Sequence, residues 1–240
     1  ALHLDGRPIS SDAADQCCAA ILECWSPAEA GAQAICDVLL GDYNPGGKLP
    51  VSVAHNAGQV PVYYSHPWGS GWHQSESIGF TDYVDCPHRP RYPFGFGLSY
   101  TSFAYADLEI SREEVPAGES VEIAFTVENT GPVPGDEVAQ LYISDVYASM
   151  TRPVKELAGF ARVHLKPGEK KRLAFTLHTS QLAFLDQDMK WKIEHGQILV
   201  EAAASSEDVR LSGSFRIDGD LWIAGKSREF WAGTSAVSIR

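Results

Sequence analysis

The sequence predicts two fold classes in succession: an incomplete α/β unit, then an all-β sandwich of immunoglobulin-like size. Helical periodicity of apolar residues is confined to the first forty positions, and alternating apolar and polar runs take over from Phe103. A length of 240 residues with 44% hydrophobic content is enough for two ordinary domains with real cores. We place the division at 1–101 and 102–240.

Ala1 to Leu4 reads as the end of a strand that turns at Asp5-Gly6-Arg7-Pro8, with Ser10 and Ser11 ahead of a helix. Ala14, Cys17, Cys18, Ile21, Leu22 and Trp25 recur at three- and four-residue steps, which predicts a helix near 12 to 25 with one buried face. The pattern returns over Glu29 to Leu40 through Ala30, Ala34, Ile35, Val38 and Leu39, and Gly41 with Pro45 stops it. Leu49 to Val53 and Val60 to Tyr64 are expected as short strands. These elements are too few to cover both faces of a parallel sheet, so the first unit is expected to be completed by another chain or segment. Residues 65–90, rich in Gly, Ser, Pro, His and Trp, read as a long loop, and long loops tend to carry function.

In the second unit, Val121 to Val127, Val138 to Ile143, Leu173 to Leu177, Ile198 to Glu201 and Leu211 to Ile217 read as strands. Turn signals at Asn129-Thr130-Gly131, Pro134-Gly135, Pro167-Gly168 and His195-Gly196 separate them. The tail from Asp218 carries Leu221, Trp222, Ile223, Phe230 and Trp231, too apolar for a solvated extension, and is expected to pack on the β-domain or on a partner.

A formal net charge of -12 argues against nucleic acid or an anionic membrane as partner, since phosphate would meet like charge. No apolar run approaches the roughly 18 residues that span a bilayer, and residues 1 to 25 lack a signal-peptide pattern. Five cysteines in no spaced framework point to free thiols and so to a cytoplasmic location, with Cys17, Cys18 and Cys24 as small core residues. The eight histidines do not fall at zinc-ligand spacing with one another or with Cys, so no structural metal is expected.

Two turn-rich segments carry a resemblance. Gly41-Asp-Tyr-Asn-Pro-Gly-Gly-Lys-Leu-Pro50 and Tyr92-Pro-Phe-Gly-Phe-Gly-Leu-Ser-Tyr-Thr101 resemble glycoside hydrolase family 3, with support from Gly6-Arg7-Pro8, Arg152 to Phe160 and Pro167-Gly168-Glu169. In that family's β-glucosidases and β-xylosidases, the first run closes an α/β-sandwich domain and the second leads into a fibronectin type III-like domain. The resemblance implies the C-terminal portion of a retaining exo-acting β-glycosidase that hydrolyses terminal non-reducing β-D-glucosyl or β-D-xylosyl residues. Its substrate would be a β-linked oligosaccharide or an aryl glycoside, with water as cosubstrate and no cofactor. It also implies that the nucleophile and the acid/base lie on a barrel-containing catalytic chain or on a preceding segment, so that no catalytic residue is assigned here and the chain alone is expected to be inert. One departure stands at Trp25-Ser-Pro-Ala-Glu-Ala-Gly31, where Ala28 replaces a glycine of the family pattern.

Candidate substrate-binding residues are Trp68, Trp72 and His73 in the long loop, where flat indoles suit the apolar face of a pyranose. The competing reading makes these rings an anchor against the barrel or a second copy of the chain. Asp5 follows a strand end, where open α/β sheets place ligand-facing loops, and competes with a plain turn role. Arg7 reads as a tie between loops. Asp82, Tyr83 and Asp85 resemble a stretch of xylosidase-like members and have loop capping as their default. Gly41 to Lys48 is one residue too long for a phosphate loop and lacks its Ser or Thr, and Ser99 lacks the second glycine of a nucleophile elbow. The alternative to an enzyme portion is a non-catalytic carbohydrate- or protein-binding module, because sandwiches host many functions.

Overall fold

A computed structural model describes residues 1–8, 11–67 and 86–239. Strands β1 (Leu2–His3) and β2 (Leu22–Glu23) pair in parallel, with Leu2 opposite Leu22 and His3 opposite Glu23. Between them runs α1 (Asp12–Cys17), whose N-cap Ser11 accepts the Ala14 N–H at 3.2 Å. The single helix expected over 12 to 25 is thus six residues long. Its apparent continuation is strand, because the Leu22 N–H donates to Ala1 O and the Cys24 N–H to His3 O. Ile21 and Leu22 suit either period over so short a run, and strand pairing decides. Helix α2 (Gly31–Leu40) stands close to its expected span and ends at Gly41, which takes φ 84°, the left-handed cap that glycine adopts without a Cβ clash.

The strands expected over 49–53 and 60–64 do not form. Val53 makes one antiparallel bridge to Tyr92, and a 3₁₀ turn occupies Ala57–Gln59. Pro50 and Pro61 each remove a ladder donor, which restricts these segments to isolated contacts. The first unit also differs from expectation in its thiols: Cys17, Cys18 and Cys36 are exposed, and Cys24 and Cys86 are half-buried. Neither α1 nor α2 has a buried residue, so there is no local core for those thiols to join. All five cysteines are free.

The second unit is the expected sandwich, antiparallel except where the short strand Glu114–Pro116 pairs in parallel with Arg216–Asp218. One sheet joins β3 (Phe103–Ile110), β5 (Ser120–Asn129), β8 (Lys170–His178) and β14 (Gly233–Ile239) in the order β14-β8-β5-β3. The other joins β4 (Glu114–Pro116), β6 (Gly135–Asp145), β7 (Glu156–Leu165), β11 (Gly196–Ala203) and β12 (Val209–Asp218) in the order β4-β12-β11-β6-β7. Inward alternation from both sheets fills the core with Ile123, Phe125, Leu141, Leu173, Phe175 and Ile198, and the rings of Phe125 and Phe175 stack at 5.6 Å. A small third sheet forms from β9 (Phe184–Leu185), β10 (Trp191–Ile193) and β13 (Leu221–Ile223). The apolar tail therefore packs on the sandwich itself, through β13 against β10 and β14 against β8.

The two motif segments are packed against each other, and Asn44 and Lys48 weld them to the second unit at Pro134 and Glu137. Leu49 N–H donates to Phe96 O and Gly95 N–H to Leu49 O, both at 2.8 Å. Asn44 Oδ1 accepts the Ser99 hydroxyl at 2.9 Å and the Tyr100 N–H at 2.8 Å, while its amide donates to Pro134 O at 2.9 Å. A Cβ on Gly97 would lie 2.2 Å from Gly47 O, so the approach of the two turns requires glycine there. Lys48 reaches across to Glu137 of β6 at 3.4 Å, and Glu137, its side chain 5% exposed, also accepts the Tyr105 hydroxyl at 3.0 Å. Among the described residues, no helix is long and apolar enough to cross a membrane.

Candidate functional site

Ligands of open α/β sheets gather at the carboxyl ends of parallel strands. Here β1 and β2 end side by side at His3 and Glu23. Glu23 Oε1 accepts the Trp25 N–H at 2.9 Å and so fixes a residue whose φ of 52° lies in the left-handed region, unusual for a bulky side chain. His3 Nδ1 stands 3.6 Å from Glu23 Oε2. Asp5, half-buried just past β1, completes a group whose ligand atoms all lie within 4.8 Å of one another. Among the described residues the Asp5 carboxylate takes no hydrogen bond or ion pair, so the expected turn-capping bond is not made. Arg7 is exposed and makes no ion pair among the described residues.

Two cavities meet at Tyr64. The larger, about 310 Å³, runs from Pro8 past Val51, Pro61 and Tyr63 to Tyr64 and Phe94. The smaller, about 190 Å³, is bounded by Tyr64, Arg89, Val154, Lys155 and Glu207. Tyr64 is common to both. It stacks on Phe94 at 4.4 Å and meets Tyr142 edge-on at 5.7 Å, and its hydroxyl accepts the Leu157 N–H at 3.3 Å. Burial pushes the Tyr64 phenol up, so it stays neutral and hydrogen-bonding at ordinary pH.

The smaller cavity carries charge of both signs. Lys155 donates to Glu201 at 2.7 Å and to Ser206 O at 3.1 Å, and Arg89 lies 3.9 Å from Glu207. Desolvation raises the Glu207 carboxyl against the opposing pull of Arg89 and Lys155. An aromatic wall beside paired charges suits a polar ring whose hydroxyls need both donors and acceptors. It does not suit retaining hydrolysis, which needs two carboxyls about 5 to 5.5 Å apart. Glu207 is the one carboxylate in this lining among the described residues. Asp145, pushed up to about 6 by burial, lines neither cavity.

Of the residues assigned from sequence, Asp5 falls at the strand-end edge, while Trp68, Trp72 and His73 lie outside the described residues, as do Asp82, Tyr83 and Asp85. Sequence reasoning missed His3, Glu23, Tyr64, Arg89, Lys155 and Glu207. No spacing rule finds them, because Tyr64 meets Lys155 and Glu207 only through the packing of the seam on β6 and β7.

Residues 2–100 match the family model described as the glycosyl hydrolase family 3 C-terminal domain, and residues 137–206 match a fibronectin type III-like domain. The chain is 43% identical over 216 residues to a periplasmic beta-glucosidase of Salmonella typhimurium, covering 89% of this chain and 28% of that protein. It is 41% identical over 207 residues to a beta-xylosidase of Formosa agariphila, covering 85% of this chain and 28% of that protein. Among solved structures, a beta-glucosidase from Listeria innocua in complex with glucose superposes with a TM-score of 0.84 at 34% identity, over 91% of this chain and 30% of that one. The chain thus spans less than a third of the length of these relatives.

Proposed function

We propose that this chain, which belongs to glycoside hydrolase family 3 as its C-terminal part, is the scaffold and pocket wall of a β-glycosidase. The activity is exo-acting, retaining hydrolysis of terminal non-reducing β-D-glucosyl or β-D-xylosyl residues from a β-linked oligosaccharide or aryl glycoside, with water as cosubstrate. The observation that carries this reading is the seam that joins the two motif turns to the sandwich: Asn44 to Pro134, Lys48 to Glu137, and Gln140 to Gly95. It holds the α/β edge in fixed register on the sandwich, which a substrate-facing wall requires.

The nucleophile and acid/base belong, on this reading, to a barrel-containing segment that docks on the first unit. The exposed Leu2, Leu4, Leu39 and Leu40 support such a docking, since exposed apolar side chains gain by burial against a partner. Trp68, Trp72, His73 and Asp5 remain the proposed sugar-contacting residues, and 1–101 and 102–240 the proposed division. The compartment is proposed as the cytoplasm on the strength of five free thiols. Cell fractionation that finds the protein in the periplasm, as the name of the Salmonella relative has it, replaces that part of the reading.

The second reading, a carbohydrate- or protein-binding module, is favoured by exposed aromatics on the sandwich, where Phe160 and Trp231 meet edge-on at 6.1 Å beside Phe230. Native mass spectrometry of natively purified material separates the two. The enzyme reading predicts a particle that contains a glycosidase-type segment beyond these 240 residues and cleaves an aryl β-glucoside or β-xyloside. A stable particle of this chain alone that retains polysaccharide without cleaving it overturns that reading in favour of the module.

A further inference from the structure

From the ends of β1 and β2, we infer a divalent-cation site of zinc type built from His3 Nδ1, the Asp5 carboxylate and Glu23 Oε2. This inference is independent of the glycosidase reading except at Asp5, whose carboxylate it gives to the cation in place of sugar contact. The three ligand atoms come from two strands and a turn, and they lie within 4.8 Å of one another. A run of sequence spacing cannot reveal such a set, since the parallel pairing of His3 with Glu23 is what assembles it.

Three features distinguish the group from an ordinary ion pair. The 3.6 Å between His3 Nδ1 and Glu23 Oε2 is too long for a hydrogen bond. It is close to the edge of a coordination tetrahedron, about 3.3 Å for metal bonds of about 2.05 Å. The ligand atoms are also uncommitted: among the described residues the His3 ring and the Asp5 carboxylate make no hydrogen bond, and Glu23 uses only Oε1, toward the Trp25 N–H. That bond orients the Glu23 carboxylate with Oε2 toward His3, as outer partners of metal ligands do. Finally, two half-buried carboxylates share this corner with no Lys or Arg in ion-pair reach among the described residues.

One imidazole and two carboxylates form a mixed nitrogen and oxygen set that suits zinc, with a water in the fourth position. The ion would clasp two strands that are each only two residues long. Its role is therefore structural, the tying of β1 to β2.

The test uses the full chain, stripped with EDTA and then given an equimolar amount of Zn²⁺, followed by native mass spectrometry and thermal melting. The expected result is one zinc retained per chain and a raised melting temperature, with affinity lowered about tenfold or more in His3→Ala, Asp5→Asn and Glu23→Gln. Glu23→Gln keeps an amide oxygen for the Trp25 N–H, and Asp5→Asn removes charge without changing shape, so either variant tests the site if the other fails to fold. No stoichiometric zinc, or zinc bound equally well by Asp5→Asn and Glu23→Gln, overturns the inference.

Discussion

The two halves of the molecule solve the burial problem differently. In the sandwich, Phe125, Leu141, Leu173, Phe175 and Leu177 are completely buried, and nearly every backbone partner lies within the two sheets. In the α/β half, Val53 is the only buried hydrophobic residue described before Val115, while Leu39 and Leu40 of α2 stand 61% and 78% exposed. The sandwich carries its own hydrophobic stabilisation, whereas the α/β half takes its order from the weld at the seam. What the difference teaches is that family resemblance and structural self-sufficiency are separate properties: the half with the stronger glycosidase signature is the half without a core.

Substitutions can break this contrast at several levels. The largest effect is expected for Phe125→Ala or Phe175→Ala, about 3–5 kcal/mol of lost stability from a cavity in a fully packed core. Leu40→Ala in the same chain should change the urea midpoint by no more than about 0.5 kcal/mol equivalent, because the side chain is already in water. Equal losses at the two positions would show that the halves are not as different as argued. Next comes Lys48→Ala, which leaves the buried Glu137 carboxylate without its cation. About 3 kcal/mol should be lost, and the Lys48→Ala/Glu137→Gln pair should recover part of it in a double-mutant cycle. Asn44→Ala removes one acceptor used twice and one donor at the weld. A loss of about 1–2 kcal/mol is expected, together with faster proteolysis of residues 1–100 at unchanged near-ultraviolet dichroism of the sandwich.

The smallest effect is a pH dependence. Burial holds the Asp145 carboxyl up to about 6 in the folded chain, above its unfolded value, so the folded state binds the extra proton between roughly pH 4 and 6. The contribution of this group to stability therefore rises as pH falls through that window and is lost as pH rises through 6. Asp145→Asn should flatten this part of the urea-midpoint profile and raise stability at pH 7 to 8. A profile unchanged by the substitution would remove Asp145 from the account.

The sandwich was legible in the sequence because alternation over eight to eleven residues, as in β5 and β6, has one reading when turns bracket it. The weld was legible as motif and not as geometry: Asn44 and Tyr100 stand 56 residues apart, and only the structure shows their bond. The segment from Cys17 to Trp25 misled because its apolar residues fit a helical period over a length that a short parallel strand also fits. Cys17 and Cys18 misled for a related reason. A cysteine is usually buried where a core exists, and α1 packs on none. Tyr64, Lys155 and Glu207 left no signal of a shared site, because three distant stretches meet only at the seam.

Hydrogen–deuterium exchange on the 240-residue chain tests the contrast most directly. Strong protection, near the global unfolding limit, is expected in β5, β6, β8 and β11, and weak protection from local opening in α1 and α2. Protection of α1 and α2 as strong as that of the sandwich strands would contradict the contrast, since it would mean that the α/β half is held by more than the weld.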